Sequence, residues 1–177
     1  MKILMVIESL RDGGKQRRMV ELLRVMARQR TYRFLVFYLK NEVHYNEIYQ
    51  MEGVEFHYLR RAFRSDPRVF WSFMKRARQF APDIVHTWGG LPALIALPYV
   101  IAFHKPFVNG MIANSRLKLF SRDWFRVQWT FPFSDVIIAN SQIGLEVYKV
   151  PEKKGRLIRN GINFDRKRLL DQPEKVR

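Results

Sequence analysis

The amino-acid sequence predicts an α/β fold with a doubly wound, mainly parallel sheet and helices on both of its faces. Short apolar runs alternate with amphipathic segments along most of the chain, which is the pattern of repeated β-α units. With 177 residues, 47% of them hydrophobic, the chain is large enough for one domain with a substantial core. There is no Cys, so disulfides and Cys-based zinc sites are excluded.

The first β-α unit is the clearest in the sequence. Lys2–Ile7 is an aliphatic run, as expected for a central parallel strand that is buried on both faces. Residues 12–14, with the sequence DGG, then turn the chain. The segment that follows predicts a helix, because its apolar residues recur at helical spacing: Met19, Leu22, Leu23 and Met26.

Two further strands are predicted at residues 34–39 and 54–58, with a helix at residues 43–51 between them. Pro67 precedes an amphipathic segment that ends at Pro82. This segment predicts another helix, whose apolar face consists of Phe70, Phe73, Met74, Ala77 and Phe80.

The alternation continues into the second half of the chain. Residues 83–86 predict a fourth strand, residues 91–103 a helix, and residues 107–108 a short fifth strand that leads into Asn109 and Gly110. An aromatic and basic stretch follows at residues 117–133.

Residues 135–139 predict a sixth strand, and residues 156–158 a last short one. Ser141 is the expected N-cap of the helix between them. Beyond Gly161 the apolar pattern fades. We therefore expect one Rossmann-like domain over residues 1–163, with residues 164–177 starting an interdomain linker.

In open α/β sheets, ligands bind at the carboxyl ends of the strands, near the point where strand order reverses. After the first strand, Gly13 and Gly14 leave bare amides at a helix N-terminus that could face a phosphate, and Lys15 adds a positive charge. A tight turn without ligand is the alternative interpretation. The spacing matches neither GxGxxG nor a P-loop, which disfavours a dinucleotide or P-loop nucleotide site.

After the fourth strand, His86 is expected near the same rim and is the candidate catalytic residue, because an imidazole there can hydrogen-bond a hydroxyl. A structural histidine is the alternative. Trp88 and Gly89 add an aromatic platform and room for a sugar, and Asn109 and Ser141 follow the next two strands. The other His residues suggest no cluster, so no metal site is predicted.

The composition is strongly basic, with 32 Lys and Arg against 16 Asp and Glu and a net charge of +16. Such a charge attracts nucleic acid, anionic lipid or phosphorylated substrates. A nucleic-acid-binding domain is therefore one alternative function, although the basic residues are spread through nearly every segment and form no known nucleic-acid motif. Another Rossmann-like nucleotide-binding protein, such as an epimerase-type domain, is the second alternative.

Four segments resemble motifs of family 4 glycosyltransferases, also known as the glycosyl transferase group 1 type. They occur in the family's order and extend over nearly the whole chain. The segments are GGKQRRMVELLRVM at residues 13–26, PDIVHTWGG at 82–90, SDVIIANSQ at 134–142 and RLIRNGIN at 156–163. Trp88 stands where many members have a second histidine, while Arg159 and Asn163 replace the proline and aspartate of the last motif.

The resemblance implies the N-terminal, acceptor-side half of a GT-B enzyme that transfers a hexosyl-type sugar with retention and needs no metal or cofactor. The donor would be a nucleotide-sugar, bound mainly by a C-terminal domain absent from this chain, and the acceptor a glycan or lipid-linked molecule of polysaccharide biosynthesis. Gly13 and Gly14 would approach the donor phosphates, and His86 would face the transferred sugar. The chain alone is expected to be inactive.

The sequence also suggests where the protein acts. Residues 1–10 are too short an apolar run for a signal peptide, and residues 91–103 are shorter than the ~20 residues of a membrane span. A cytoplasmic location is expected. Residues 116–133 interleave basic and aromatic side chains, which indicates either a segment docked on the anionic inner leaflet or an ordinary helix packing its aromatics on the sheet.

Overall fold

The structure is a computed structural model and describes residues 1–44, 46–63, 66–112 and 117–161. Within these residues, seven strands form one sheet in which every pairing is parallel. In chain order the strands are β1 Lys2–Ile7, β2 Arg33–Tyr38, β3 Val54–Tyr58, β4 Ile84–Trp88, β5 Phe107–Ile112, β6 Val136–Ala139 and β7 Gly155–Leu157. Across the sheet the order is β3-β2-β1-β4-β5-β6-β7. The predicted Rossmann-like α/β fold is thereby confirmed, and strand order reverses between β1 and β4.

Five α-helices and one 3-10 helix connect the strands in the described residues. They are α1 Gly14–Arg28, α2 Arg68–Phe80, α3 Gly90–Phe103, α4 Arg122–Thr130 and α5 Gln142–Val147, with the 3-10 helix at Asn46–Gln50. The first face of the sheet carries α1 and the 3-10 helix. The second face carries α2, α3, α4 and α5.

Alternation along β1 divides the core between the two faces. Ile3, Met5 and Ile7 pack with α1 on the first face, whereas Leu4 and Val6 pack with α2 and α3 on the second. All five side chains are buried, and each contributes roughly 1.5–3 kcal/mol relative to an exposed position. The aliphatic run predicted a strand buried on both faces, and the structure confirms it.

The prediction of a helix at residues 43–51 is wrong, because the described residues of this range form a 3-10 turn at Asn46–Gln50 and no α-helix. Its first part is held in another conformation by the β1-α1 loop. The Leu10 amide donates to the Glu42 carbonyl at 3.0 Å, and the His44 amide donates to the Leu10 carbonyl at 3.0 Å. These bonds fix Val43 in an isolated parallel bridge with Leu10.

Two strands continue further than predicted. β4 extends to Trp88, which is in register with Ile7 of β1, and β5 extends past the predicted turn at residues 109–110 to Ile112. Asn109 pairs with Thr87, and a Cβ on Gly110 would lie 2.9 Å from the Thr87 carbonyl oxygen. Gly110 therefore permits a close approach of β4 and β5 instead of a turn.

The first face is covered unevenly. Within the described residues, α1 reaches as far as Trp88, and no helix packs on β5 or β6 from that side. Val108, Val136 and Ile138 are accordingly only partly buried. His86 lies in the same row, in register with Met5 and Val108, so its imidazole is on the first face at the border of the covered half.

The helices of the described segments are all too short or too polar to cross a membrane.

Some aromatic side chains in and before α4 are exposed to solvent, whereas an ordinary packed helix would place them against the sheet. Phe125 and Trp129 are 48% and 64% exposed, and Phe120 just before the helix is 75% exposed. Arg116, at the start of the predicted membrane segment, lies outside the described residues.

Candidate functional site

The loops that precede α1 and α3 meet at the carboxyl ends of β1 and β4, and we call the place where they meet the crevice. Lys15, in the first turn of α1, places its Nζ 3.0 Å from the position that a Cβ on Gly89 would occupy. Gly89 also has a φ of +132°, a conformation that L-residues rarely adopt. The backbone conformation therefore favours glycine at position 89, the Lys15 ammonium lies directly beside it, and the site lies at the strand-order reversal.

Two helices begin at this crevice without a side-chain cap. The N-caps of α1 and α3 are Gly13 and Gly89, and neither helix has a side-chain capping hydrogen bond. At α4 and α5 the N-cap serines, Ser121 and Ser141, accept from first-turn amides, whereas α2 has no side-chain cap and only its Arg68 amide donates to Asp66. The crevice thus brings two uncapped N-termini together, and their amides and helix dipoles favour an anion.

The Lys15 ammonium is the positive charge nearest to Gly89, and the Glu8 carboxylate acts on it. Burial lowers the pKa of Lys15, with a smaller lowering by Arg18, while the Glu8 and Asp123 carboxylates raise it. An ammonium with part of its water removed interacts more strongly with an anion than an exposed one does. Asp123 belongs to the first turn of α4, so this helix contributes to the electrostatics of Lys15.

The two glycines of the first loop have different surroundings. A Cβ on Gly13 would lie 2.5 Å from Oε1 of Gln16, whereas a Cβ on Gly14 would meet no atom within 4 Å. Gln16 is fixed by a 3.3 Å hydrogen bond from its Nε2 to Ser9 Oγ. Our sequence analysis missed Gln16, although its place three residues after the N-cap is the capping-box position. Open space in front of Gly14 leaves room for a ligand.

His86 lies two residues inside the end of β4, deeper than the rim position predicted, because the strand continues through Thr87 and Trp88. Its Nε2 is 3.7 Å from the position of a Cβ on Gly110. Its ring centroid is 4.8 Å from that of Trp88, at an interplanar angle of 35°. Burial lowers the pKa of His86 to about 4, so the imidazole is neutral near pH 7 and acts as a hydrogen-bonding group.

Trp88 takes the strand-end position that was predicted for His86. The side chain is partly buried, and its Nε1 is buried without a hydrogen-bond partner in the described structure. Leaving a buried donor unsatisfied costs roughly 1–3 kcal/mol. An acceptor atom of a ligand in the crevice would remove that cost.

The structure gives intramolecular partners to the other two predicted binding residues. Asn109 is fully buried on the second face, and its Nδ2 donates to Thr130 Oγ1 and Ser134 Oγ, both at 3.2 Å. The amide therefore ties β5 to α4. Ser141 is the N-cap of α5, as predicted, and its Oγ accepts from the Gly144 amide at 3.1 Å. Contact of either residue with substrate remains a prediction.

No three His, Cys, Asp or Glu residues of the described segments are grouped as they would be around a metal ion. A shallow cavity lies at the opposite edge of the sheet, where Lys2, Arg33, Val54 and Phe80 line it near the amino ends of the first three strands. It does not adjoin the crevice.

The lowered pKa of the His86 imidazole leads to a prediction about stability. An unfolded His titrates near 6.5, whereas the folded pKa of His86 is about 4. Because the unfolded chain then binds protons first, the contribution of His86 is fully present above about pH 6.5 and is lost as pH falls towards 4, by at most about 3 kcal/mol.

Denaturant unfolding at about pH 7 and about pH 4.5 measures this loss. We expect His86→Gln to lose less stability than the wild-type chain between the two pH values. Equal losses in the two proteins would show that His86 does not titrate as a buried group.

Comparison with models of protein families matched residues 12–166 to the family described as Glycosyltransferase Family 4. The matched region begins just before Gly13 and contains the crevice residues Lys15, His86, Trp88 and Gly89. A search of the curated proteins found no significant match.

Several solved structures share the fold. The Anabaena protein Alr3699/HepE in complex with UDP and glucose is 15% identical with a TM-score of 0.74, covering 93% of this chain and 46% of that one. A glycosyltransferase from Rickettsia africae ESF-5 is 18% identical with a TM-score of 0.70, covering 98% and 47%. UDP-GlcNAc 2-epimerase from Methanocaldococcus jannaschii is 14% identical with a TM-score of 0.61, covering 90% and 46%. The chain spans about half the length of these structures.

Proposed function

Because this chain belongs to glycosyltransferase family 4, we propose that it is the acceptor-side half of a retaining GT-B enzyme. The enzyme transfers a sugar, of hexosyl type, from a nucleotide-sugar to a glycan or a lipid-linked acceptor in polysaccharide biosynthesis. Residues 1–163 form the acceptor-side domain and residues 164–177 begin the linker to a donor-binding domain. HepE, a structure with the same fold, was solved with UDP and glucose bound, which supports a nucleotide-sugar as donor.

The convergence of two bare helix N-termini on one lysine carries this proposal. The leaving group of the donor is a nucleoside diphosphate. Negative charge therefore develops on its phosphates as the bond to the sugar breaks. Amides of the loop at Gly13 and Gly14, together with the Lys15 ammonium beside Gly89, offer preorganised positive potential for that charge. In this proposal the crevice closes over the phosphates from the acceptor side, and the second domain supplies most other contacts to the donor.

In this proposal His86 and Trp88 contact the transferred sugar. A neutral imidazole can accept a hydrogen bond from a sugar hydroxyl and donate one from its other nitrogen, and the low pKa of His86 keeps it neutral. Trp88 contributes an unpartnered Nε1 donor and an aromatic surface. Since many family members have a histidine at the position of Trp88, the indole Nε1 takes the donor role of that imidazole. Asn109 positions α4, and Ser141 lines the far side of the rim.

No metal ion or cofactor takes part in this proposal, because the phosphate charge is met by amides and by Lys15. The protein works on the cytoplasmic side, against the inner leaflet when its acceptor is lipid-linked. The nucleic-acid-binding alternative is disfavoured by the family match and by the absence of a nucleic-acid motif. The epimerase alternative shares the fold with the Methanocaldococcus jannaschii epimerase, but the family match favours transfer.

We expect the 177-residue chain to unfold cooperatively yet to turn over no nucleotide-sugar, because it supplies one wall of the proposed cleft. Release of nucleoside diphosphate measures this, with the complete protein as the positive control. Turnover by the chain alone would show that the donor site lies within it. Tight nucleotide binding by the chain alone would instead favour the alternative of a nucleotide-binding domain.

A further inference from the structure

Arg18 is a second cation near the N-terminus of α1. Lys15 and Arg18 are spaced i and i+3 on this helix, so their side chains start from the same side of it. The Arg18 side chain reaches back towards the N-terminus, where its Nε donates to the Gly14 carbonyl oxygen at 3.4 Å. The guanidinium therefore lies over the first turn of α1, whose N-cap makes no side-chain hydrogen bond.

The contact with Gly14 does not account for this position of the guanidinium. Its length exceeds the usual N–H···O range of about 2.7–3.2 Å. The Gly14 carbonyl is also the expected acceptor of the Arg18 backbone amide, because helical amides donate to the carbonyl four residues earlier. Among the described residues, the terminal nitrogens of the Arg18 guanidinium have no hydrogen-bond partner. Most donors of this partly buried side chain are thus available to a ligand.

Two positive charges are held close together here, and carboxylates oppose only one of them. Burial lowers the pKa of Lys15, the nearby Arg18 lowers it further, and the Glu8 and Asp123 carboxylates raise it. Burial also lowers the pKa of Arg18, and neither carboxylate offsets that shift. Like charges that have lost part of their water are unfavourable together. An anion bound by both cations would remove this cost.

A diphosphate group fits this pair of cations better than a single phosphate does. Its two phosphates provide separate sets of charged oxygens, one set for each cation. The planar Arg18 guanidinium can bind phosphate oxygens through two parallel N–H bonds, whereas the Lys15 ammonium acts as a point charge. The bare amides at the start of α1 add further donors. A single phosphate would leave one of the two cations without an anion.

We propose that Arg18 is a specificity-determining residue that binds one phosphate of the donor while Lys15 binds the other. We call the two side chains the Lys15–Arg18 clamp. The clamp favours a sugar linked through a diphosphate over a sugar linked through a monophosphate, and the contact of Arg18 with Gly14 is exchanged for contacts with phosphate when the donor binds. This assignment of the ligand rests on the proposed function.

Calorimetric binding of inorganic pyrophosphate and inorganic phosphate to the complete protein tests the clamp, because these probes require no choice of nucleotide. We expect the wild type to bind pyrophosphate more tightly than phosphate. Arg18→Met should lower the affinity for pyrophosphate about tenfold or more, and the affinity for phosphate by about twofold at most. The matched control is Arg28→Met, which removes the same charge from an exposed residue at the other end of α1. It should keep the preference for pyrophosphate.

Steady-state kinetics of the complete enzyme identify which substrate Arg18 contacts. Arg18→Met should raise the KM for the nucleotide-sugar about tenfold and leave the KM for the acceptor within about twofold. Because Arg18 is only partly buried, we expect its melting temperature to stay within a few degrees of the wild type. A rise in the KM for the acceptor alone would overturn the proposal, since the anion would then belong to the acceptor.

Two binding results would also overturn the proposal. One is an unchanged affinity for pyrophosphate in Arg18→Met. The other is an equal loss of affinity in Arg28→Met, since net charge alone would then explain the binding. If the wild type binds pyrophosphate through Arg18 but transfers no sugar, the proposed function is contradicted while the clamp remains as a diphosphate site.

Discussion

Replacing Gly14 by Val in the complete enzyme is expected to lower the rate of sugar transfer by about 10²-fold or more, the size expected when donors to a developing charge are lost. We expect this substitution to leave the packing of the protein undisturbed, because a Cβ on Gly14 would meet no protein atom within 4 Å. The branched side chain would instead fill the space in front of the bare α1 amides and keep the phosphates away.

A matched control for Gly14→Val is Gln142→Val. Gln142 is the first residue of α5, as Gly14 is of α1, and it is exposed. Its helix is capped by Ser141, and no phosphate contact is proposed at its amides. Both variants should keep the wild-type melting temperature to within a few degrees, and only Gly14→Val should lose activity. Full activity in Gly14→Val would show that the loop is only a turn.

His86→Ala is expected to lower the transfer rate by about 10²-fold, as is typical when a positioned proton donor or acceptor is removed. The substitution also creates a small cavity beside Gly110 and Trp88, so its melting temperature must be measured. His86→Gln separates the two effects, because glutamine can still donate and accept hydrogen bonds. Partial recovery of the rate in His86→Gln would support contact with the sugar. An unchanged rate in His86→Ala would make His86 a structural residue.

The strands were the most predictable part of the fold. Lys2–Ile7 and Val54–Tyr58 have the predicted bounds, because an apolar run between turn residues is a local signal. The ends of β4 and β5 were not predictable in the same way. Thr87 and Asn109 continue their strands because they pair with each other, and such a pairing depends on residues far apart in the sequence.

The loops that form the site could be predicted from the sequence. The arrangement of their side chains relative to one another could not. Both N-cap glycines at the crevice, Gly13 and Gly89, were identified from the sequence, yet the approach of Lys15 to Gly89 joins residues far apart in the sequence and has no local signal. Asn109 looked like a rim residue because a glycine follows it, and the fold buries it against Thr130 instead.

The exposure of α4 was also beyond local prediction. Phe125 and Trp129 are spaced i, i+4 and share one side of the helix, but the spacing alone does not decide whether that side faces the sheet. In the structure Val127 and Thr130 are buried, while Phe125 and Trp129 face outward. The small residues of this helix thus occupy the space next to the sheet, and its large aromatics remain available for a partner.

Product analysis after incubating the complete protein with nucleotide-sugars and a lipid-linked acceptor tests the central claim most directly. We predict a new glycosidic bond on the acceptor, with the anomeric configuration of the donor, and one nucleoside diphosphate released for each sugar transferred. An epimerised nucleotide-sugar formed without any acceptor would contradict the claim and favour the epimerase alternative.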